Sequence, residues 1–403
     1  MNPKELFTQA LGLVKPWKCE SVDFSGTPKK LTLSIDYERG HLLSCPKCGT
    51  PSPIYDTVEK KWRHMNFFQY ECELVAQVPR VECEKDRVLQ VEVPWARAGS
   101  GFTLMFEALA MALCQAMPVV EVAELLQEHD TRLWRVVQHY VEQAQAGKSW
   151  ADVKRILVDE TSARRGHKYV TNFVDADTRE LLFMTEGRGS ESFEAFAQAL
   201  KEHQGKIEQI ELIGMDMSPA FRKGAKDYFP NARVVFDHFH LMQWAGNALD
   251  EVRKELRRSG ADLKEGLWAI RGNEWTRTDE QKQRRAELCL AYPKLGRAMA
   301  LRDYLQDALN EENPSMLKEW LSWAQRCRLK PFQKLAQSIK EHWDGIVAFI
   351  ETRVTNGVIE AINGLLQLAK RLARGFRSFK TFQIMGYLKA GKLELKTPQL
   401  LPT

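Results

Sequence analysis

Two aspartates and a glutamate, far apart in a chain of 403 residues, carry the chemistry that the sequence most directly suggests. Asp159 closes the apolar run Ile156-Leu157-Val158, and Asp216 closes Leu212-Ile213-Gly214-Met215. Such runs read as short buried strands. In open α/β sheets, ligands gather where side chains leave the core at strand ends. Glu360 lies on a helical stretch from about Asn356 to Arg374 and can be presented to the same point. Three carboxylates held together repel one another unless divalent cations neutralise them, and an all-oxygen set suits Mg²⁺ or Mn²⁺. Two such ions, roughly 3.5–4 Å apart, would activate a water or a DNA 3′-hydroxyl and stabilise the leaving oxygen of an in-line displacement. Taken singly, a strand-ending aspartate is more often a turn former or helix cap, and Asp216 before Ser218-Pro219 fits that reading too. Glu160 rivals Asp159, since neighbours on a strand face opposite ways.

A second ligand pattern is Cys45-x-x-Cys48, half of a zinc ribbon. Eight cysteines in a chain without a secretory start favour metal binding or burial over disulfides. Cys72, between Tyr70 and Leu74 in an alternating run, reads as core.

The elements that must position these groups fall into regimes. Residues 1–98 alternate in strand fashion at Leu31-Thr32-Leu33-Ser34-Ile35 and from Tyr70 to Val78, which predicts a small β-rich module. Ala98-Gly99-Ser100-Gly101 reads as a linker. Residues 99–150 read as helices, with Pro118 in the first turn of the second and Asp130 capping the third. Two short helices and a tight turn fit a helix-turn-helix with Thr131, Arg132 and Arg135 opening the recognition helix. An ordinary helical connector fits the same pattern. Residues 151–240 predict three antiparallel strands, then alternating helix and strand, a mixed α/β sheet with helices on its faces. Residues 241–350 read as helical, and residues 351–403 as a last helix and a basic tail.

That tail carries Lys370, Arg371, Arg374, Arg377, Lys380, Lys389 and Lys392 among Phe376, Phe379 and Phe382, suited to phosphates and to stacking on bases. A second basic group is Arg253, Lys254, Arg257 and Arg258. A net charge of +5 permits a polyanionic partner without requiring one. Lacking a membrane-length apolar run or a secretory start, the chain reads as cytoplasmic.

At these residues the chain resembles the DDE transposases of bacterial insertion sequences, the ISL-three group, over nearly its whole length. The resemblance is carried by Cys45-Pro46-Lys47-Cys48-Gly49, Trp62-Arg63-His64-Met65-Asn66-Phe67-Phe68 and Val93-Pro94-Trp95-Ala96-Arg97. It continues through Val158-Asp159-Glu160-Thr161, Gly214-Met215-Asp216-Met217-Ser218-Pro219-Ala220 and Val235-Phe236-Asp237-His238-Phe239-His240. It closes with Thr355-Asn356-Gly357-Val358-Ile359-Glu360-Ala361-Ile362-Asn363 and Arg374-Gly375-Phe376-Arg377. It implies a ribonuclease-H-like domain with Asp159, Asp216 and Glu360 as its catalytic, metal-binding triad, interrupted by a helical insertion. It implies cleavage at element ends followed by attack of the 3′-hydroxyl on target DNA. Double-stranded DNA is then the partner, and joining two ends calls for at least a dimer. Asp237 and His240 resemble an auxiliary pair of related enzymes; a buried structural histidine is the other reading. The second zinc knuckle of the family falls on Cys83-Glu84-Lys85-Asp86, so Cys45, Cys48 and Cys83 are the implied zinc ligands, with Asp86 where a cysteine or histidine is expected. His64 in its Trp-Arg-His context reads as packing. A transposase-derived DNA-binding regulator without catalysis, or a metal nuclease that cuts without joining, are the alternatives.

Overall fold

The computed structural model describes residues 2–40, 42–164, 166, 168–263, 267–271, 277–311 and 313–400. The chain divides into two compact units, Met1–Ala144 with Glu394–Thr403, and Gln145–Leu393. No helix among the described residues is long and apolar enough to cross a membrane.

In the first unit, helix α1 (Pro3–Ala10) precedes strands β1 (Trp17–Gly26), β2 (Lys29–Tyr37), β3 (Leu43–Ser44), β4 (Pro51–Ser52), β5 (Ile54–Phe67), β6 (Tyr70–Cys83) and β7 (Arg87–Gln90). The main sheet runs β1-β2-β6-β5, with β7 paired to the end of β6. Alternation in the sequence becomes its two faces: Leu31, Leu33 and Ile35 of β2 and Cys72, Leu74, Ala76 and Val78 of β6 are buried. Trp95 closes this core edge-on to Trp17 and Trp62, with ring centroids at 4.9 and 5.5 Å.

Helices α2 (Leu104–Ala116), α3 (Val119–Leu126) and α4 (Asp130–Ala146) follow. Their starts differ from expectation. Pro118 occupies the cap position before α3. Asp130 is the first residue of α4, and the ring Nδ1 of His129 accepts the Thr131 N–H (3.3 Å) in the cap role assigned to Asp130. Nor do residues 98–101 form a loose connection: the Gly101 carbonyl accepts the Arg63 N–H at 2.9 Å, and Thr103 N–H donates to the Arg63 carbonyl at 3.0 Å. Glu107, fully buried on α2, accepts from Ser100 Oγ (2.6 Å), Arg97 Nε (3.0 Å) and Tyr140 Oη of α4 (2.8 Å). A buried charge is tolerable only with such partners.

The second unit is built on a five-stranded sheet, β10-β9-β8-β11-β12. Strands β8 (Arg155–Arg164), β9 (Lys168–Asp175) and β10 (Leu181–Glu186) are antiparallel, whereas β11 (Leu212–Met215) and β12 (Arg233–Phe236) run parallel to β8. The β9–β10 turn is locked by Asp175, whose carboxylate accepts from the Asp177 N–H and the Thr178 hydroxyl at 2.8 and 3.0 Å. One sheet face packs on α5 (Glu191–Glu202) and α6 (Pro219–Tyr228) through Phe173, Phe193, Phe196 and Phe221. Gly224 lets these helices meet, because a Cβ there would sit 2.4 Å from the Phe193 ring.

Between β12 and the last helices lie α7 (His238–Arg258), α8 (Leu267–Arg271), α9 (Asp279–Ala291), α10 (Pro293–Asn310), α11 (Pro314–Arg326), α12 (Lys330–Glu341) and α13 (Trp343–Thr352). Buried Trp320 of α11 donates its indole N–H to the Leu301 carbonyl of α10 at 2.7 Å. Helix α14 (Gly357–Leu372) then covers the other sheet face. It is not the last helix. α15 (Phe379–Ala390) follows, with Phe382, Ile384, Met385 and Leu388 buried and Gln383 Nε2 bonded to the Met184 carbonyl of β10 at 2.8 Å.

Candidate functional site

Strand register brings the acidic residues together. In the β8–β11 pairing Leu157 lies opposite Gly214, and in the β11–β12 pairing Met215 lies opposite Phe236. Extending both by the next residues puts Asp159, Asp216 and Asp237 in one row across three neighbouring strands. The Asp237 N–H still donates to the Met215 carbonyl at 3.3 Å. Asp159 does not end its strand, as the sequence suggested. β8 continues to Arg164 against β9, while β11 stops at Met215, so Asp159 stands where β8 loses its β11 neighbour.

The row faces α14. A Cβ on Gly214 would meet Leu157 Cδ2 at 2.6 Å and Asn356 Oδ1 at 3.3 Å, so that side of the sheet is the one the start of α14 approaches. With a period of two, Asp159 shares the Leu157 face. Its Oδ2 accepts from Asn363 Nδ2 of α14 at 2.8 Å, and its Oδ1 accepts the Glu160 N–H at 2.8 Å. Glu160 takes the opposite face, so Asp159 is the one of the two acids on the α14 side. Farther along, Gln367 Nε2 donates to Thr161 Oγ1 and the Ser162 carbonyl, each at 2.8 Å, and Lys370 donates to the same carbonyl. Helix α14 is thereby stitched along β8 from Asp159 onward. Glu360, one turn before Asn363 and on the same side of the helix, is exposed.

Burial pushes the Asp159 carboxyl up to about 6; the Glu160 N–H opposes this, the Asp216 charge adds to it and His240 counters it. Burial likewise raises Glu160, against the pull of Arg188. Asp216 is half-buried and accepts the Ser218 N–H at 2.9 Å, so it also turns the chain into α6. Asp237 is 4% exposed, and its Oδ2 has no hydrogen-bond partner among the described residues. His240 is half-buried on the first turn of α7. The three predicted carboxylates are not drawn to one point, however. Among the described residues, only one group of acidic, cysteine or histidine side chains has three or more ligand atoms within 4.8 Å of one another, and it is elsewhere.

That group is Cys45, Cys48, Cys83 and Asp86. Two tight hairpins supply it. Cys45 and Cys48 lie in the β3–β4 turn, where Gly49 takes φ +74 and its N–H returns to the Cys45 carbonyl at 2.9 Å. Cys83 and Asp86 lie in the β6–β7 turn. Cys48 and Cys83 sulfurs stand 3.5 Å apart, and Asp86 Oδ2 lies 3.7 and 3.8 Å from those of Cys45 and Cys83. Backbone N–H groups of Asp86 and Lys85 hold the Cys83 thiol below its ordinary range. Three thiols and a carboxylate at this spacing fit a tetrahedral zinc ion. The departure at Asp86 is thus part of the cluster, with Lys47 bonded to its other oxygen at 2.9 Å. His64 stands apart, bonded to Thr103 Oγ1 at 2.8 Å and held by burial at about 4. Cys72 is core, its thiol raised by burial to about 12.

The basic residues are less uniform than the sequence suggested. Thr131 and Arg135 are exposed on α4. Arg132 is exposed but tied, paired with Glu128 at 2.5 Å and lying 4.2 Å over the Phe102 ring. Arg371, Arg374 and Arg377 are exposed around the end of α14, where Arg374 takes φ +54. Phe382 is 2% exposed and stacked on Phe376, so it cannot stack on a base. Arg253 and Lys254 pair with Asp250 at 2.8 and 3.0 Å. Sequence reasoning missed Asn172 and Asn363 as parts of the site. The signal was a lone amide, Asn172, just before the apolar pair Phe173-Val174, and a second amide one turn after Glu360.

Three family models match in order along the chain: the zinc-finger of transposases IS204/IS1001/IS1096/IS1165 over residues 42–86, the helix-turn-helix domain of transposase family ISL3 over residues 91–141, and the ISL3-type DDE transposase domain over residues 156–385. The chain is 28% identical to the transposase for insertion sequence element IS1557 of Mycobacterium tuberculosis, covering 94% of this chain and 93% of that protein. It is 24% identical to the transposase for insertion sequence element IS1001 of Bordetella parapertussis, covering 93% of this chain and 95% of that protein. Matched in order by the zinc-finger, helix-turn-helix and transposase models, the last over more than half of its length, the chain belongs to the ISL3 family of DDE transposases.

Proposed function

We propose that this protein binds the ends of an insertion sequence, cleaves phosphodiesters there, and transfers the resulting 3′-hydroxyl ends to target DNA. The observation that carries this reading is the Asp159–Asn363 hydrogen bond, which docks the helix bearing Glu360 against the strand row of Asp159 and Asp216. The sheet order, with helices on both faces, suits a ribonuclease-H-like core interrupted by the insertion α7–α13.

In this reading Asp159, Asp216 and Glu360 hold the Mg²⁺ or Mn²⁺ ions. Such ions, when bound, would supply activation of a water or 3′-hydroxyl and neutralisation of charge on the leaving oxygen. The protein's part is orientation. The Glu160 N–H and the Asn363 amide each hold one oxygen of Asp159, which restrains the carboxylate and leaves lone pairs on both oxygens for a cation. His240 favours the ionised form of Asp159, and Asp237 extends the row by one strand. Cys45, Cys48, Cys83 and Asp86 hold a structural zinc. Thr131, Arg132 and Arg135 contact the DNA from α4, and Arg371, Arg374 and Arg377, exposed around the end of α14, follow phosphates. Two ends must be joined, so the working complex on cytoplasmic DNA contains at least two copies.

Labelled element ends with Mg²⁺ test this reading, comparing the parent with Asp159→Asn, Asp216→Asn and Glu360→Gln. Joined products from the parent, and DNA binding without chemistry from all three variants, are expected. The rivals are a DNA-binding regulator without catalysis and a metal nuclease that cuts without joining. Binding without any cleavage by the parent selects the regulator, and cleavage without joining selects the nuclease.

A further inference from the structure

We propose that Asn363 is a positioning residue of the acidic site, and that Asn172 supports it from the neighbouring strand. Asn172 lies directly opposite Asp159 in the β8–β9 pairing. Its Nδ2 donates to Asn363 Oδ1 at 2.7 Å, and Asn363 Nδ2 donates to Asp159 Oδ2 at 2.8 Å. Asn172 is fully buried and Asn363 is 9% exposed, so water does not compete for these bonds. An amide can present either its oxygen or its nitrogen to a neighbour. Here the ionised carboxylate fixes the choice: it accepts only, so Asn363 turns its nitrogen to Asp159 and its oxygen to the Asn172 amide N–H.

The chain Asn172–Asn363–Asp159 does two things at once. It restrains rotation of the Asp159 carboxylate, whose other oxygen is held by the Glu160 N–H. It also fixes the height of α14 against β8, and with it the position of Glu360 one turn earlier. Gln367 and Lys370 secure α14 farther down β8 without touching Asp159, so the helix has other anchors and the link to Asp159 is separable from folding. Hydrogen-bonded partners that orient metal-binding side chains are worth ~10–100-fold in metal affinity. The inference rests on the reading of Asp159 as a metal-holding carboxylate.

Mn²⁺ titration of the full chain, followed by electron paramagnetic resonance of the free ion, tests it without requiring turnover. Asn363→Leu keeps side-chain bulk and removes the donor; Asn363→Ser keeps polarity but is too short to reach Asp159; Asn363→Gln keeps the amide. The expected result is Mn²⁺ binding weakened about 10-fold or more in the Leu and Ser variants, with partial recovery in Gln and unchanged affinity for element-end DNA. Asp159→Asn, run alongside, separates the two claims. If it abolishes Mn²⁺ binding while Asn363→Leu and Asn363→Ser leave the titration as in the parent, the inference on Asn363 is overturned and the carboxylate reading survives. If Asp159→Asn itself leaves Mn²⁺ binding intact, the carboxylate reading fails and takes this inference with it.

Discussion

The two acid- and sulfur-bearing clusters of this protein are built on opposite principles. In the first unit, three thiols and Asp86 are already gathered within 4.8 Å by two tight hairpins. In the second, Asp159, Asp216 and Glu360 hang from two strands and a helix and stand farther apart. The physical reason is charge. Thiols and a carboxylate can be packed together here because turn N–H groups reach the Cys83 sulfur and Lys47 pairs with Asp86. Three carboxylates converging without a cation would add repulsion to the burial that already lifts Asp159 to about 6. A preassembled cluster holds a fold together. A row of separated acids, anchored by amides, is left open to a substrate and its ions.

If that contrast is right, the two clusters fail differently when broken. Cys45→Ser should do the most damage: the first unit loses its zinc and with it several kcal/mol of stability. Metal analysis and thermal unfolding report this; the parent should carry about one equivalent of zinc, and less than half would remove zinc from the account. Asp216→Asn should cost roughly a thousandfold in cleavage, since several kcal/mol of charge stabilisation go with the ions, yet leave the melting temperature at or above the parent's.

A smaller effect sharpens the comparison through pH. A buried acid whose folded value is raised keeps its proton longer in the native state, so the metal-free protein loses stability as pH rises from 3.8 to about 6. The interval is worth about 3 kcal/mol at most. Denaturant unfolding of parent and Asp159→Asn across that window should converge at low pH and separate as pH rises, the variant being the more stable. Parallel curves would contradict the raised value. The smallest effect belongs to the exposed cations. Arg135→Ala and Arg371→Ala should each lower the salt dependence of DNA binding by about one counterion. The α7 cations held by Asp250 should behave otherwise: Lys254→Ala should leave that slope unchanged.

Much of this arrangement was legible in the sequence where local pattern and tertiary role agree. Arg233-Val234-Val235-Phe236 reads as a strand and folds as β12, and the alternation at Leu31–Ile35 becomes the buried side of β2. Composition misleads where pairing overrides it. Glu160, Ser162 and Arg164 look like loop, yet they extend β8 because β9 pairs with them. The basic residues after Glu360 look like a solvated tail, yet Ile384, Met385 and Leu388 bury α15 against β10. Asp216 could be found because β11 announces its own end, and Asp159 because it closes an apolar run, although β8 continues past it. What holds Glu360 near them could not, because it depends on Asn172 and Asn363, 191 positions apart, meeting inside the fold.

The most direct test of the central claim replaces one oxygen ligand with sulfur. Mg²⁺ demands hard oxygen ligands, whereas Mn²⁺ tolerates a thiolate far better. Asp216→Cys should be inactive on element-end DNA in Mg²⁺ and regain cleavage when Mn²⁺ replaces it, with the parent active in both. Cleavage by Asp216→Cys in Mg²⁺ at the parent's rate would show that no cation is held there, and the carboxylate row would lose its role.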